Sequence, residues 1–231
     1  MTIKMNKIPI YFMPGLAANP LIFSKIKLDE ALFEVFYLEW EIPNAKESLN
    51  DYAKRIALNI KEENPVLIGV SFGGILVQEI AKHISVRKLI IISSLKTDLE
   101  FPRRLKLIKI TRLYKLVPIG LLLKFIKLIE LVSGEKMKQR MQLYEKFLSV
   151  RDSRYLKWAF DKVLLWNCTE INEDLIHIHG DKDQMFPVKN IKNCIVVEGG
   201  THVMVFTKYR WFNANLANII LEGNSNPEAS G

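Results

Sequence analysis

The sequence predicts an α/β protein with a doubly wound, mostly parallel sheet flanked by helices. Six short apolar runs, most of them rich in β-branched residues, alternate with helical patterns along the chain. Uniformly apolar strands are typical of parallel sheets that helices cover on both faces. The alternation of strands and helices favours the same architecture. With 231 residues, 49% of them hydrophobic and 25% charged, the chain suits one folded domain that carries a modest insertion.

The strands and helices follow one another in a simple order. The predicted strands cover residues 8–12, 33–38, 66–70, 88–92, 175–179 and 194–197. The first predicted helix begins after the N-cap Ser48, with Asp51 three residues on, and its apolar residues share one face. Further helices are predicted over 74–83, directly after the third strand, and over 207–221. We therefore expect a minimal sheet of about six strands.

Residues 97–170 interrupt this alternation with consecutive helical patterns and no strand pattern. We predict that they form a helical cap inserted after the fourth strand. The core then consists of residues 1–96 and 171–222, and the Gly-, Ser-, Asn- and Pro-rich residues 223–231 form a flexible tail.

The basic character of the chain belongs to the cap alone. Eleven Lys or Arg residues stand against two acidic ones between Arg103 and Arg140, whereas the whole chain has a net charge of +8. The rest of the chain is close to neutral, so its charge does not indicate nucleic-acid binding. Basic residues also alternate with leucines and isoleucines in the cap, a pattern that is compatible with weak binding of the cap to anionic membranes. The favoured interpretation is that the apolar side chains roof an acyl pocket, because the basic spacing makes no clean helical face.

The two cysteines and the first residues of the chain are informative about the cellular location of the protein. Cys168 and Cys194 are too few to staple a domain of this size, which favours a reducing, cytoplasmic location. The first eighteen residues imitate a signal peptide, but Pro14-Gly15 breaks the apolar run and cleavage would remove a predicted core strand. The longest apolar run elsewhere is far shorter than the ~20 residues that a spanning helix needs.

A GxSxG motif contains the predicted nucleophile. Gly69-Val-Ser71-Phe-Gly73 lies directly after a predicted strand and directly before a predicted helix. Such a turn holds its central residue in a strained conformation that exposes the side chain, and the flanking residues must be small. The helix N-terminus favours a developing negative charge beside it. Ser71 is therefore the predicted nucleophile, and a phosphate-binding turn would require a different glycine pattern.

A serine nucleophile needs a histidine base, and the chain has only four histidines. His83 ends the helix after the motif, and His177 and His179 lie inside a strand. His202 follows Gly199-Gly200-Thr201, immediately past the last strand, where a glycine loop can bring an imidazole to the strand ends. Position and elimination both select His202 as the general base.

The base needs a carboxylate to fix its tautomer. Asp181 and Asp183 both follow the fifth strand, and Asp98 after the fourth strand is a weaker third candidate. The resulting chain order is serine, aspartate, histidine.

On these motifs the chain resembles the α/β-hydrolase superfamily, in its capped single-domain form. The resemblance covers nearly everything except the insertion. In that family the acid usually lies three residues past a glycine, in a G-x-x-D-x-x-x-P pattern that Gly180, Asp183 and Pro187 match, so Asp183 is chosen and Asp181 is expected to brace the loop. The resemblance also implies an oxyanion hole formed by the backbone N–H groups of Phe72 and Leu16. Many relatives have His-Gly where this chain has Pro14-Gly15, a departure that leaves the backbone donor intact.

These residues imply acyl transfer, with hydrolysis of a small, apolar carboxylic ester or thioester as the leading prediction. No cofactor is required, and the oligomeric state is left open. The same triad could instead transfer the acyl group, or cleave a peptide or C–C bond. From a different class, the chain could be a ligand-binding protein of the same fold without catalytic activity, which an intact Ser/Asp/His set argues against.

One competing motif points to a metal. His177-x-His179-x-Asp181-Lys182 resembles the HxHxDH motif of metallo-β-lactamase-like hydrolases, with the last histidine replaced. Two imidazoles on one strand face can bind a metal or pack in the core. With so few further ligands available, we expect no metal site.

Overall fold

The computed structural model describes residues 6–111, 147, 150–168, 172 and 174–223. Within them, six strands form one sheet. In chain order these are β1 (Ile8–Met13), β2 (Phe33–Tyr37), β3 (Val66–Val70), β4 (Lys88–Ile92), β5 (Leu175–Gly180) and β6 (Ile195–Val197). The spatial order is β2-β1-β3-β4-β5-β6, and each pair of neighbouring strands is parallel. The predicted fold class and the expected strand number are confirmed.

The described helices lie between and after the strands. They are α1 (Leu49–Ala57), α2 (Phe72–Ile80), α3 (Arg103–Thr111), α4 (Ser153–Leu165), α5 (Met204–Thr207) and α6 (Tyr209–Glu222). Ser48 caps α1 as predicted, since its side chain accepts a hydrogen bond from the Asp51 N–H at 3.0 Å. Helix α2 begins at Phe72 rather than 74 and ends at Ile80 rather than 83, because the chain enters the helix directly from Ser71.

Both faces of the sheet are buried, as the uniformly apolar strands predict. One face packs against α1, α2 and α4, with Tyr52, Leu76 and Tyr155 among the fully buried side chains. The other packs against α5 and α6 through residues such as Phe212 and Leu216. This layering closes a core on each side of the sheet, and the strand register brings the carboxyl ends of β1, β3, β4 and β5 to one edge.

Helices α3 and α4 are the described parts of the predicted cap. Both follow β4 and precede β5, in the place where the insertion was predicted. Residues 112–146 lie outside the described residues, and with them most of the basic and apolar positions on which the membrane hypothesis depends. Among the described helices, none has the length and apolar character that crossing a bilayer requires.

Candidate active site

Ser71 occupies the turn between β3 and α2. Its backbone has φ 54° and ψ −119°, a left-handed conformation that is strained for any residue with a side chain. Two backbone hydrogen bonds hold the turn. The Ser71 N–H donates to the Ile92 carbonyl at the end of β4, at 2.9 Å, and the Gly74 N–H donates to the Ser71 carbonyl at 2.9 Å. Strain of this kind is what the GxSxG motif predicts, and it holds the hydroxyl above the end of the sheet.

Two glycines of the motif permit close backbone approach. A Cβ on Gly69 would overlap the backbone of Gly73, across the turn itself. A Cβ on Gly73 would overlap the carbonyl oxygens of Met13 and Pro14 at the end of β1. The small residues therefore allow the turn to close and allow the β1 end to lie directly against it.

Ser71, His202 and Asp183 form one hydrogen-bonded line. The distance from Ser71 Oγ to His202 Nε2 is 2.9 Å, and the distance from His202 Nδ1 to Asp183 Oδ2 is also 2.9 Å. A carboxylate only accepts hydrogen bonds, so Nδ1 is the donor in this pair. In the neutral imidazole Nε2 then has a lone pair that faces the serine hydroxyl, the arrangement a general base requires.

Asp183 is buried and held from both sides. Its Oδ1 accepts the backbone N–H groups of Met185 at 2.8 Å and Phe186 at 2.9 Å, which leaves Oδ2 for His202. Burial by itself raises the pKa of this carboxyl. The hydrogen bond and charge of His202, with the Phe186 N–H, outweigh burial and lower the pKa below its ordinary value. Asp183 is therefore a carboxylate at neutral pH.

The strand histidines support the same loop. His179 Nε2 donates to the Phe186 carbonyl at 2.7 Å and lies 3.6 Å from Asp183 Oδ2, while His177 Nε2 lies 3.0 Å from His179 Nδ1. Burial lowers the pKa of both imidazoles, that of His177 well below its ordinary range. Because both rings are buried and engaged in this way, the arrangement matches core packing. No cluster of three or more metal-ligating side chains occurs in the part of the chain that the structure describes.

The other sequence candidates lie elsewhere. The Asp181 side chain pairs with Lys182 at 3.4 Å, and His202 meets Asp183 instead. Asp98 lies in a 3-10 turn, Asp98–Glu100, before α3. His83 Nε2 lies 3.0 Å from Asn50 Oδ1 on the surface.

The two expected oxyanion donors belong to different elements. Phe72 is the first residue of α2, and Leu16 belongs to residues 14–19, which follow β1 and are called here the oxyanion loop. Gly15 packs against Ser71: a Cβ built on it would lie 3.6 Å from Ser71 Cβ. Among the described residues, neither the Leu16 N–H nor the Phe72 N–H meets an acceptor. Both remain available to a developing negative charge.

Three contacts around these residues have no counterpart in the sequence analysis. The Trp40 Nε1–H donates to the Gly15 carbonyl at 2.7 Å, and the Tyr155 hydroxyl accepts the Ala17 N–H at 3.1 Å. The Ser94 hydroxyl donates to the Ser71 carbonyl at 2.7 Å. The position of Trp40 and Ser94 just past the ends of β2 and β4 is the one signal that could have identified them, because strand ends meet at the site edge.

The described architecture matches solved structures over almost its whole length. A hydrolase from Oleispira antarctica is 17% identical, with a TM-score of 0.66 over 94% of this chain and 92% of that one. The chain has the α/β-hydrolase fold. A thermophilic esterase from Thermogutta terrifontis (13% identical, TM-score 0.64, 94% and 91% covered) and a bromoperoxidase from Bacillus anthracis (18%, 0.62, 94% and 92%) share this fold. No family model and no curated protein matches the sequence.

Proposed function

We propose that this protein is a serine hydrolase that cleaves a carboxylic ester or thioester. Ser71 is the nucleophile, His202 the general base and acid, and Asp183 the carboxylate that orients His202. The backbone N–H groups of Phe72 and Leu16 bind the oxyanion. The observation that carries the proposal is the hydrogen-bonded line from Ser71 Oγ through His202 to Asp183, with 2.9 Å at each step.

The proposed reaction has two halves. Ser71 Oγ attacks the carbonyl carbon while His202 Nε2 takes the hydroxyl proton, and the two N–H groups stabilise the tetrahedral oxyanion. The intermediate collapses to an acyl-enzyme, and His202 returns the proton to the departing alcohol or thiol. Water then attacks the acyl group, His202 accepts its proton, and the second collapse releases the carboxylic acid and restores Ser71.

The solved structures of the same fold support a hydrolase in general terms, since a hydrolase and an esterase are among them. The substrate class comes from the proposed chemistry, and the described residues favour no alternative acceptor over water. We propose a small, apolar substrate and a cytoplasmic location. The support for a reducing compartment is the low cysteine content, two in 231 residues.

Fluorophosphonate labelling tests the nucleophile. We expect a fluorophosphonate to label the wild-type protein at Ser71, and p-nitrophenyl esters of increasing chain length to measure the pocket. Ser71→Ala should abolish labelling and lower esterase activity on the order of 10³-fold or more, with the fold intact. Near-normal turnover by well-folded Ser71→Ala protein would contradict the mechanism.

A further inference from the structure

Trp40 is a buried tryptophan that contacts both sides of the candidate oxyanion hole. It lies beyond the end of β2, with 6% of its surface exposed. Its indole N–H donates to the Gly15 carbonyl, and its ring stacks on the Phe72 ring with centroids 4.8 Å apart and planes 7° apart. One side chain thus meets the two residues that flank the nucleophile in space, although it belongs to neither loop.

The contact with Gly15 determines where the Leu16 N–H points. In a trans peptide the carbonyl and the following N–H point in opposite directions, and the chain has no cis peptide bond among the described residues. The Gly15 carbonyl is held by Trp40 Nε1 at 2.7 Å and by the Ala18 N–H at 2.9 Å. Holding this carbonyl therefore fixes the plane of the Gly15–Leu16 peptide and directs the Leu16 N–H to the side away from Trp40.

The contact with Phe72 acts on the other donor. Phe72 is the first residue of α2, so packing that holds its side chain in place also limits displacement of the backbone that presents its N–H. The parallel stack with Trp40 restricts that side chain on one face. Donors that are fixed before the reaction need no reorganisation when the negative charge develops.

We propose that Trp40 is a positioning residue for the oxyanion hole. Its indole N–H orients the Gly15–Leu16 peptide, and its ring restrains Phe72. This role rests on the proposed acyl-transfer function. It concerns the transition state rather than substrate binding, because an ester carbonyl in the ground state carries far less charge than the tetrahedral oxyanion.

The chain provides a matched control in Trp158. This tryptophan belongs to the same group of packed aromatic rings, and its Nε1–H also donates to a backbone carbonyl, that of Glu47 at 2.8 Å. Trp158→Phe therefore removes an equivalent hydrogen bond without touching the Gly15–Leu16 peptide. Trp40→Phe keeps an aromatic ring beside Phe72 and removes the donor to the oxyanion loop together with part of the ring volume, and Trp158→Phe makes the same change of side chain.

The test compares these two variants with a trifluoromethyl ketone, which captures an active serine as a tetrahedral oxyanion adduct. We expect Trp40→Phe to lose about ten- to a hundredfold in both kcat/KM and trifluoromethyl ketone affinity, with KM changed less than about twofold. We expect Trp158→Phe to retain wild-type values of both. Active sites are counted by fluorophosphonate titration at temperatures well below each variant's Tm, so that unfolded protein does not imitate the loss.

Each outcome decides one point. If Trp40→Phe and Trp158→Phe bind the ketone equally well, the positioning role of Trp40 is wrong while the proposed function stands. If the wild-type protein is not labelled at Ser71, the proposed function fails, and the role of Trp40 fails with it. Trp40→Tyr, which fills more of the buried volume but has no N–H at the indole position, is measured in the same way and replaces Trp40→Phe if that variant does not fold.

Discussion

The turn around Ser71 and the oxyanion loop lie against each other, yet they are held differently. The shape of the turn comes from its own residues, through the bond from the Gly74 N–H to the Ser71 carbonyl and through glycines that allow close backbone approach, and residues at the end of β4 add two further hydrogen bonds. The oxyanion loop has one bond of its own, from the Ala18 N–H to the Gly15 carbonyl, and is otherwise held by residues far away in the chain. The Gly15 carbonyl binds Trp40, the Ala17 N–H binds Tyr155, and the Asn19 N–H donates to the Phe147 carbonyl at 2.7 Å.

This difference explains why a short motif predicts the strained turn at Ser71 while no motif predicts the conformation of the oxyanion loop. The strained backbone at Ser71 requires small residues at fixed positions on either side, so it produces a recognisable GxSxG pattern in the sequence. The conformation of the oxyanion loop requires donors and acceptors from the segment after β2 and from α4, which can be supplied by many residue types at many positions. Three changes test this contrast.

The largest effect is expected in the loop after β5 that carries Asp183. This loop can be compared with the turn around Ser71 and with the oxyanion loop. In Asp183→Asn, Oδ1 can still accept the Met185 and Phe186 N–H groups, so the amide NH2 faces His202 Nδ1. His202 must then accept at Nδ1 and carry its proton on Nε2, where it can no longer take the proton of Ser71. We expect kcat to fall on the order of 10³-fold or more.

Asp181→Asn is the matched control for this change, because it alters a carboxylate of the same loop that pairs with the exposed Lys182. We expect kcat within about twofold of wild type, since His202 hydrogen-bonds to Asp183 rather than to Asp181 and asparagine has nearly the same size as aspartate. Steady-state kinetics of both variants under identical conditions measure the difference. If Asp181→Asn were the crippling change, the assignment of the acid would be wrong.

The next largest effect is expected where the turn around Ser71 contacts the end of β1 and the start of the oxyanion loop. In Gly73→Ala the new Cβ overlaps the carbonyl oxygens of Met13 and Pro14, so both the turn and the β1 end must move. We expect a stability loss of about 3 kcal/mol, measured by urea unfolding.

Gly15→Ala serves as the control. It adds a methyl group on the oxyanion loop, where that loop faces the turn around Ser71. Its Cβ would make only ordinary contacts, 3.6 Å from Ser71 Cβ and 3.7 Å from the Val70 carbonyl. We expect its stability within about 1 kcal/mol of wild type. Equal losses in the two variants would mean that the loops do not meet as closely as described.

The smallest effect is expected from Tyr155→Phe, which removes the hydroxyl that accepts the Ala17 N–H. Burial raises the pKa of Tyr155, so the native group is a neutral hydroxyl. We expect a stability loss of about 1 kcal/mol and a severalfold loss of kcat, because Ala17 adjoins the Leu16 donor.

Tyr11→Phe provides the comparison for this change. The Tyr11 hydroxyl donates to the Glu62 carboxylate and accepts the Lys61 N–H at 3.1 Å, in the segment between α1 and β3 and away from the oxyanion loop. We expect a loss of stability with kcat unchanged. A kcat for Tyr155→Phe equal to that of Tyr11→Phe would show that the Ala17 contact only stabilises the fold.

The sequence by itself determined the strands and the doubly wound class, and it singled out the nucleophile that we propose. Hydrophobic periodicity and steric exclusion act between neighbours, and both leave regular patterns. Ser71 follows from the strand–GxSxG–helix context. His202 follows because only one of four histidines lies in a loop at the strand ends. The choice of Asp183 over Asp181 came from the spacing of a resembling family, since composition and periodicity treat the two residues alike.

Only the tertiary structure decided which atoms meet. The tautomer of His202 depends on Asp183 Oδ2 being left open by two backbone N–H groups of its own loop. The direction of the Leu16 N–H depends on Trp40, twenty-five positions from the Gly15 carbonyl that it holds. A hydrogen bond of this kind is specified by distance and angle between atoms from separate elements, and neither quantity exists until the sheet and its helices have packed.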